Sequence, residues 1–219
     1  MSKSLKYYLA GYNFIAFTFW GLYLVYFIAS GLQLDIYGQW LLNIAQGLAI
    51  LEILHAALKW VKSPLGSTIA QVASRLLVVV LIDIHLYADG VVALPFRNPD
   101  VAINMRIAVI HFLQAVNYGI IIVSFAWSIT ELVRYSLYYL GLFNRQPKWL
   151  LWMRYSFFIV LYPLGVTGEW LIIAAPLFLA WLINLTAYYY FAGFLLLVYA
   201  YYFPVLYRYM WRQRKAKLV

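Results

Sequence analysis

The sequence predicts an all-α, polytopic membrane protein: a six-transmembrane-helix bundle with both termini cytosolic. Three observations carry that expectation. Of 219 residues, 66% are hydrophobic and only 11% are charged, less than half the roughly 25% charge of a soluble domain. Leu9–Leu34 and Ile107–Thr130 hold no Asp, Glu, Lys or Arg, and about 20 apolar residues cross a ~30 Å hydrocarbon layer as a helix. Sixteen Lys and Arg against seven Asp and Glu leave a net charge of +9, and the cations fall in alternate loops. In a membrane chain that excess speaks first of orientation. A soluble globular protein, a disordered chain and a nucleic-acid binder are excluded. The short period-two strands of a membrane β-barrel are missing.

The spans follow in order from their flanking charges. Lys3 and Lys6 precede the first, about 9–29, which closes at Gly31–Asp35 without a cation. The second, about 36–58, ends in Lys59 and Lys62 before Ser63-Pro64. The third, 65–86, leads to a polar loop at 88–100, and the fourth, 107–130, runs on toward Arg145, Lys148 and Arg154. Trp170–Tyr207 is free of charge over 38 residues, about 57 Å as one helix, so it must fold back. A turn at Asn184 yields spans 155–183 and 185–207. Basic residues thus cluster at the N-terminus, after span two, between spans four and five, and in the tail from Arg208 to Lys217. The positive-inside rule then puts both termini in the cytosol. The chain reads as one membrane-embedded domain over 1–219, its first span retained rather than cleaved.

The absence of cysteine excludes a thiolate nucleophile, a disulfide frame and Cys-ligated metal. Ionisable residues inside spans are costly, usually paired and functional by default. Here they are Glu52, His55, Arg75, Asp83, His111, Glu131, Arg134 and Glu169. In a hairpin turning at Ser63-Pro64, Glu52 and Arg75 fall at nearly equal depth, so a structural ion pair is expected; direct substrate binding is the other reading. His55 reads as a satisfied interior histidine, and with no second ligand at metal spacing no metal site is expected. Trp127, Glu131, Arg134 and Tyr135 share one helical stripe, and Glu131 can pair with Arg134 along the helix. The stripe is either an interfacial anchor with a snorkelling Arg134 or a basic wall for a phosphate-bearing headgroup.

Tyr162 and Glu169 are the most informative pair. Seven residues apart, they share one helix face, about 10.5 Å apart along the axis. Gly165 leaves a slot between them, and Phe158 and Tyr155 continue the face toward the cytosol. Pro163 removes a backbone donor and can kink the helix there. Glu169 has no basic residue within ten positions of its own helix.

These residues lie in stretches that carry a resemblance. Leu51-Glu-Ile-Leu-His55, Lys62-Ser-Pro-Leu65, Gln71-Val-Ala-Ser-Arg75, Trp127-Ser-Ile-Thr-Glu-Leu-Val-Arg-Tyr135 and the run from Arg154 through Tyr162-Pro-Leu-Gly165 to Glu169 resemble the very-long-chain (3R)-3-hydroxyacyl-CoA dehydratases, once called protein-tyrosine-phosphatase-like. Tyr12-Asn13 matches as well, and the likeness runs collinearly from about residue 7 to 215. The old phosphatase label fails on chemistry, since no thiolate is available. The resemblance implies a six-span enzyme of the endoplasmic reticulum membrane that removes water from a 3-hydroxyacyl-CoA to give the trans-2-enoyl-CoA during fatty acid elongation. Its catalytic tyrosine and glutamate fall on Tyr162 and Glu169.

Such a dehydration needs a base for the proton alpha to the thioester and an acid for the departing hydroxyl. Glu169 as proton acceptor and Tyr162 as donor is the expected split; the reverse is also allowed by the sequence. Dehydration is redox-neutral, so no cofactor is expected beyond the CoA of the substrate. The acyl chain would lie between helices among membrane lipids. The CoA phosphates would meet basic residues at the cytosolic rim: Arg134, Arg145, Lys148 and Arg154. Other elongation-cycle enzymes are the expected partners, with no nucleic acid. The alternative is a non-catalytic lipid-binding or scaffold protein of the same fold. Lys215 and Lys217 have the spacing of a dilysine retrieval signal for the endoplasmic reticulum.

Overall fold

The structure, a computed structural model, describes residues 2–92, 103–182 and 186–218. It is a bundle of helices: α1 (Lys3–Ala29), α2 (Ile36–Gly47), α3 (Ile50–Ala57), α4 (Leu65–Val92), α5 (Ile103–Leu142), α6 (Lys148–Ser156), α7 (Phe158–Leu182) and α8 (Thr186–Leu218). Among the described residues six stretches are long and apolar enough to cross a membrane, with α2 and α3 forming one of them. The helices outrun the expected spans. α4 continues through Val92 into the segment expected as a loop, α5 reaches Leu142 and α8 carries the basic tail. The turn expected at Asn184 lies outside the described residues, as does the remainder of the 88–100 loop from residue 93.

Helix ends near a bilayer cannot leave carbonyls unsatisfied. Three of them close the same way. After α1, Leu32 N–H donates to Phe27 and Gly31 N–H to Ile28; after α3, Trp60 donates to His55 and Lys59 to Ala56; after α5, Arg145 donates to Leu140 and Asn144 to Gly141. Each is a Schellman closure, which puts one residue in the left-handed region. Gly31 takes it at φ 72° without steric cost, with Leu32 following at φ 64°, whereas Lys59 and Asn144 take it at φ 55° and 56°. Asp35 caps α2 by accepting from Gly38 N–H at 2.9 Å and from the Tyr26 hydroxyl at 2.6 Å. Those bonds hold its carboxyl below the usual carboxylate range, so the cap is present at neutral pH and is lost as pH falls through that lowered value.

The fifth expected span, 155–183, is interrupted. α6 ends at Ser156 and α7 begins at Phe158, so Tyr155 and Tyr162 stand on separate helices. Within α7, Pro163 cannot donate to Ile159, and the carbonyl of Ile159 instead accepts from the Tyr207 hydroxyl of α8 at 3.4 Å. Near Pro176 the Tyr188 hydroxyl donates to the carbonyl of Ile173 at 3.1 Å. Tyrosines of α8 therefore replace backbone bonds that proline weakens in α7. The α2–α3 break is handled similarly, with the Tyr12 hydroxyl donating to the carbonyl of Leu48 at 3.1 Å.

The core is aromatic and aliphatic, with Trp20, Tyr23 and Phe27 of α1 against Val116, Ile120 and Val123 of α5. Beside it the chain gathers four charges, one buried and three partly buried. Glu131 of α5 is 1% exposed. It pairs with Arg75 of α4 and, at 2.5 Å, with Arg134 one turn along its own helix. Arg134 also grips Glu52 of α3 in a bidentate contact, 2.8 and 2.6 Å. The Tyr135 hydroxyl donates to the same carboxylate at 2.6 Å.

The expected direct pair between Glu52 and Arg75 is thus corrected. Both residues meet the same turn of α5, consistent with equal depth, but each takes the opposite charge that α5 presents. The snorkelling reading of Arg134 also fails, because its terminal nitrogens are committed to two carboxylates inside the bundle. His55 is the satisfied interior histidine expected, its Nε2 3.0 Å from the Tyr8 hydroxyl.

Removing one member of a buried network leaves an unpaired charge, which costs about 3–5 kcal/mol. Glu131→Ala should therefore lower thermal stability by that amount in detergent-solubilised protein, while Arg75→Leu/Glu131→Leu should lose much less. Equal stability of Glu131→Ala and the parent would show that the network does not hold the bundle.

Candidate active site

α5 and α7 approach more closely than side chains allow. A Cβ on Gly119 would lie 2.8 Å from the carbonyl oxygen of Gly168, and one on Gly168 would meet Val123 Cγ2 at 2.8 Å and the Gly119 carbonyl oxygen at 2.9 Å. Paired glycines let two membrane helices touch by their backbones. The residue after Gly168 is Glu169, so this contact brings its carboxyl to α5.

There the Trp127 indole N–H donates to Glu169 Oε1 at 3.0 Å. The guanidinium of Arg75 lies 5.5 Å from the centroid of the same indole, which ties the carboxyl to the charged network. Among the described residues no cation lies within ion-pair distance of Glu169, and Arg75 is engaged by Glu131. The third wall is α8, where the Tyr199 hydroxyl neighbours the Glu169 carboxyl. That hydroxyl is buried and makes no hydrogen bond of ordinary geometry among the described residues.

Tyr162 stands on the same face of α7. Its ring stacks on Phe203 at 5.3 Å with the planes 2° apart, and on Tyr207 at 6.2 Å and 12°. Two parallel partners leave the ring little rotational freedom. Phe158, buried, packs edge-on against Tyr207 at 5.8 Å and Trp211 at 5.7 Å. Gly165 is buried against α5, where a Cβ would sit 3.7 Å from that of Ala126. The space at Gly165 is therefore largely taken by α5.

The structure gathers Tyr162, Glu169, Gly165 and Phe158 at the α5–α7–α8 seam. It does not bring the cationic candidates there. Arg134 is in the charged core, Lys148 is exposed at the start of α6, and Arg154 is half-buried near its end. Two site residues escape a one-dimensional reading. Trp127 belongs to a stripe read as an anchor, and its donation to Glu169 depends on which helix lies beside α5. Tyr199 carries one available signal: with Phe203 and Tyr207 it recurs at i, i+4 and i+8, one stripe of α8. Among the described residues no group of three or more His, Asp or Glu is gathered as metal ligands require.

A carboxyl with one oxygen held by a neutral donor and a clamped phenol have the chemistry that a general acid–base pair requires. The comparisons bear on what that pair does. A family profile described as "Protein tyrosine phosphatase-like protein, PTPLA" matches residues 46–219. The chain belongs to this family.

Relatives of the chain carry more specific names. The very-long-chain (3R)-3-hydroxyacyl-CoA dehydratase hpo-8 of Caenorhabditis elegans is 35% identical over 80% of this chain and 72% of its own length. The very-long-chain (3R)-3-hydroxyacyl-CoA dehydratase PASTICCINO 2 of Arabidopsis thaliana is 32% identical over 96% of this chain and 92% of its own. For PASTICCINO 2A of rice the identity is 31%, over 74% of this chain and 65% of the relative. No solved structure matches the chain.

The glycine contact offers a test of how the site is set. Gly168→Ala should force α5 and α7 apart at an overpacking cost of about 1–3 kcal/mol and pull Glu169 from Trp127. Thermal unfolding should register that loss. An unchanged melting curve would mean that the close approach is not needed.

Proposed function

We propose that this chain is a hydro-lyase that converts a long-chain (3R)-3-hydroxyacyl-CoA to the trans-2-enoyl-CoA in very-long-chain fatty acid elongation. The observation that carries the reading is the placement of Glu169: a carboxyl largely enclosed in the membrane part of the bundle, met by an indole N–H instead of a cation, on one helix face with a clamped tyrosine. An ionisable group without a counter-ion at that depth is expensive to keep. The names of the relatives supply the substrate class.

The chemistry follows from the two groups. Glu169 takes the proton on C2, alpha to the thioester, and the developing charge passes toward the thioester carbonyl. Tyr162 gives its phenolic proton to the C3 hydroxyl, so that water leaves rather than hydroxide. The C2–C3 double bond forms. Trp127 holds Oε1 and leaves Oε2 directed to the substrate, which aligns the base before the substrate arrives. The acyl chain lies among the aromatic side chains of α7 and α8. The CoA phosphates meet Arg145, Lys148 and Arg154 at the end of the bundle where α5 passes into α6. Arg134 takes no part in phosphate binding, because its charge is already balanced. No metal or redox cofactor enters the scheme.

The enzyme sits in the endoplasmic reticulum membrane with both termini cytosolic, the orientation that the distribution of Lys and Arg favours. Its partners are the enzymes that supply the 3-hydroxyacyl-CoA and reduce the enoyl-CoA.

Tyr162→Phe and Glu169→Gln should each lower turnover of a long-chain (3R)-3-hydroxyacyl-CoA by about 10²–10⁴-fold, with insertion and thermal stability retained. The assay follows enoyl-CoA formation by the purified protein. Near-normal turnover in either variant removes that residue from the mechanism.

A further inference from the structure

The seam between α7 and α8 can be followed residue by residue, because its contacts pair the two helices in antiparallel order. The Tyr188 hydroxyl reaches the carbonyl of Ile173, Phe203 and Tyr207 stack on Tyr162, and the Tyr207 hydroxyl reaches the carbonyl of Ile159. Trp211 then packs edge-on against Phe158 at 5.7 Å. Last, Arg214 Nε donates to the Ser156 hydroxyl at 3.4 Å. The seam thus leads from the Tyr162 ring to the break between α6 and α7, and it ends on a guanidinium.

Arg214 differs from the rest of the basic tail. Arg208, Arg212, Lys215 and Lys217 are exposed, as residues that only set orientation are expected to be. Arg214 is half-buried, its guanidinium 5.6 Å from the centroid of the Trp211 ring. Its hydrogen-bond partner Ser156 is buried and neutral. Among the described residues no carboxylate lies within ion-pair distance of Arg214. Drawing a guanidinium even part-way out of water without a counter-ion is unfavourable. With Nε held by Ser156 and one face covered by Trp211, the plane of the fork is set and the terminal nitrogens remain as donors. A planar fork of that kind matches the oxygens of a phosphate.

We propose that Arg214 is a phosphate-binding residue for the CoA part of the substrate, and that the thioester arm lies along the α7–α8 seam between Arg214 and Tyr162. Tyr207, stacked on Tyr162, and Arg214 are seven residues apart, about 10.5 Å along α8, a length that an extended phosphopantetheine arm covers. Phe158 and Trp211 line the arm between its ends. This inference rests on the substrate class proposed above and is independent of which group acts as acid and which as base.

The test is equilibrium binding of a saturated long-chain acyl-CoA, which has no hydroxyl to lose, to purified full-length protein in neutral detergent, beside turnover of the 3-hydroxyacyl-CoA. Arg214→Gln, which keeps a planar amide near Trp211, should weaken acyl-CoA binding by about tenfold or more. It should raise KM to a similar degree with kcat retained. The same acyl chain on pantetheine, which carries no phosphate, should bind parent and variant alike. Arg214→Met, which keeps an apolar stem over Trp211, should show the same loss and decides the matter if the Gln variant does not purify folded. Arg214→Lys should recover part of the affinity, and Arg212→Gln, which removes one exposed tail charge, should bind acyl-CoA as the parent does.

Parental affinity for acyl-CoA in Arg214→Gln would overturn the site. So would a loss of the same size in Arg212→Gln, which would make it an effect of total charge. An equal loss with the pantetheine thioester would make Arg214 a packing residue of the seam and overturn it as well. Arg214-dependent retention of phosphatidylserine, with acyl-CoA affinity unchanged, would give the guanidinium to a lipid headgroup instead. Failure of the dehydratase reading looks different: the parent would bind acyl-CoA in an Arg214-dependent way and yet form no enoyl-CoA.

Discussion

The Glu131 carboxylate, enclosed between Arg75 and Arg134, is the contact on which the rest of the bundle is arranged. A lone carboxylate at that depth is prohibitive, and a single partner leaves the balance of desolvation and attraction close to even. Two guanidinium groups on one carboxylate would overshoot, and Glu52 restores neutrality by taking the far side of Arg134. Four charges from three helices thus sum to zero. The geometry that achieves this fixes the depth and rotation of α3 and α4 against α5. It also fixes α5 itself, and α5 is the helix that carries Trp127 and Gly119.

From there the arrangement passes to the site by direct contact. Arg75 faces the Trp127 ring, Trp127 donates to Glu169, and the glycine contact between Gly119 and Gly168 brings α7 near enough for that bond. α8 is attached by other means. Its tyrosines take over carbonyls of α7 near Pro163 and Pro176, so the same prolines that weaken α7 supply the acceptors that dock α8. The Tyr162 ring is clamped by this docking. Glu169 and Tyr162 are therefore oriented by different neighbours, one by α5 and the other by α8.

Much of this was legible before any coordinates. Six apolar stretches are visible because the length of a span and the cost of charge in lipid leave few alternatives. Tyr162 and Glu169 share a face because helical periodicity alone puts them there. Depth is also readable from a hairpin, which is why Glu52 and Arg75 meet the same turn of α5. Partner identity is not readable, since spacing along one helix is silent on which helix lies opposite. For that reason the expected Glu52–Arg75 pair dissolves into contacts with Arg134 and Glu131. Trp127 and Tyr199 stay hidden for the same reason. The break at Phe157 had no sequence mark of its own: Pro163 lies six residues further on, and the short α6 shows only in three dimensions.

The central claim is that an enclosed acid–base pair in a membrane bundle removes water from a hydroxyacyl thioester. It is met most directly by the unmodified protein. Reconstituted in lipid vesicles and given a long-chain (3R)-3-hydroxyacyl-CoA, with no metal or redox cofactor added, it should produce the trans-2-enoyl-CoA until the hydration equilibrium is reached. It should approach the same equilibrium from the enoyl-CoA side. Folded protein that forms no enoyl-CoA from any chain length would contradict the account.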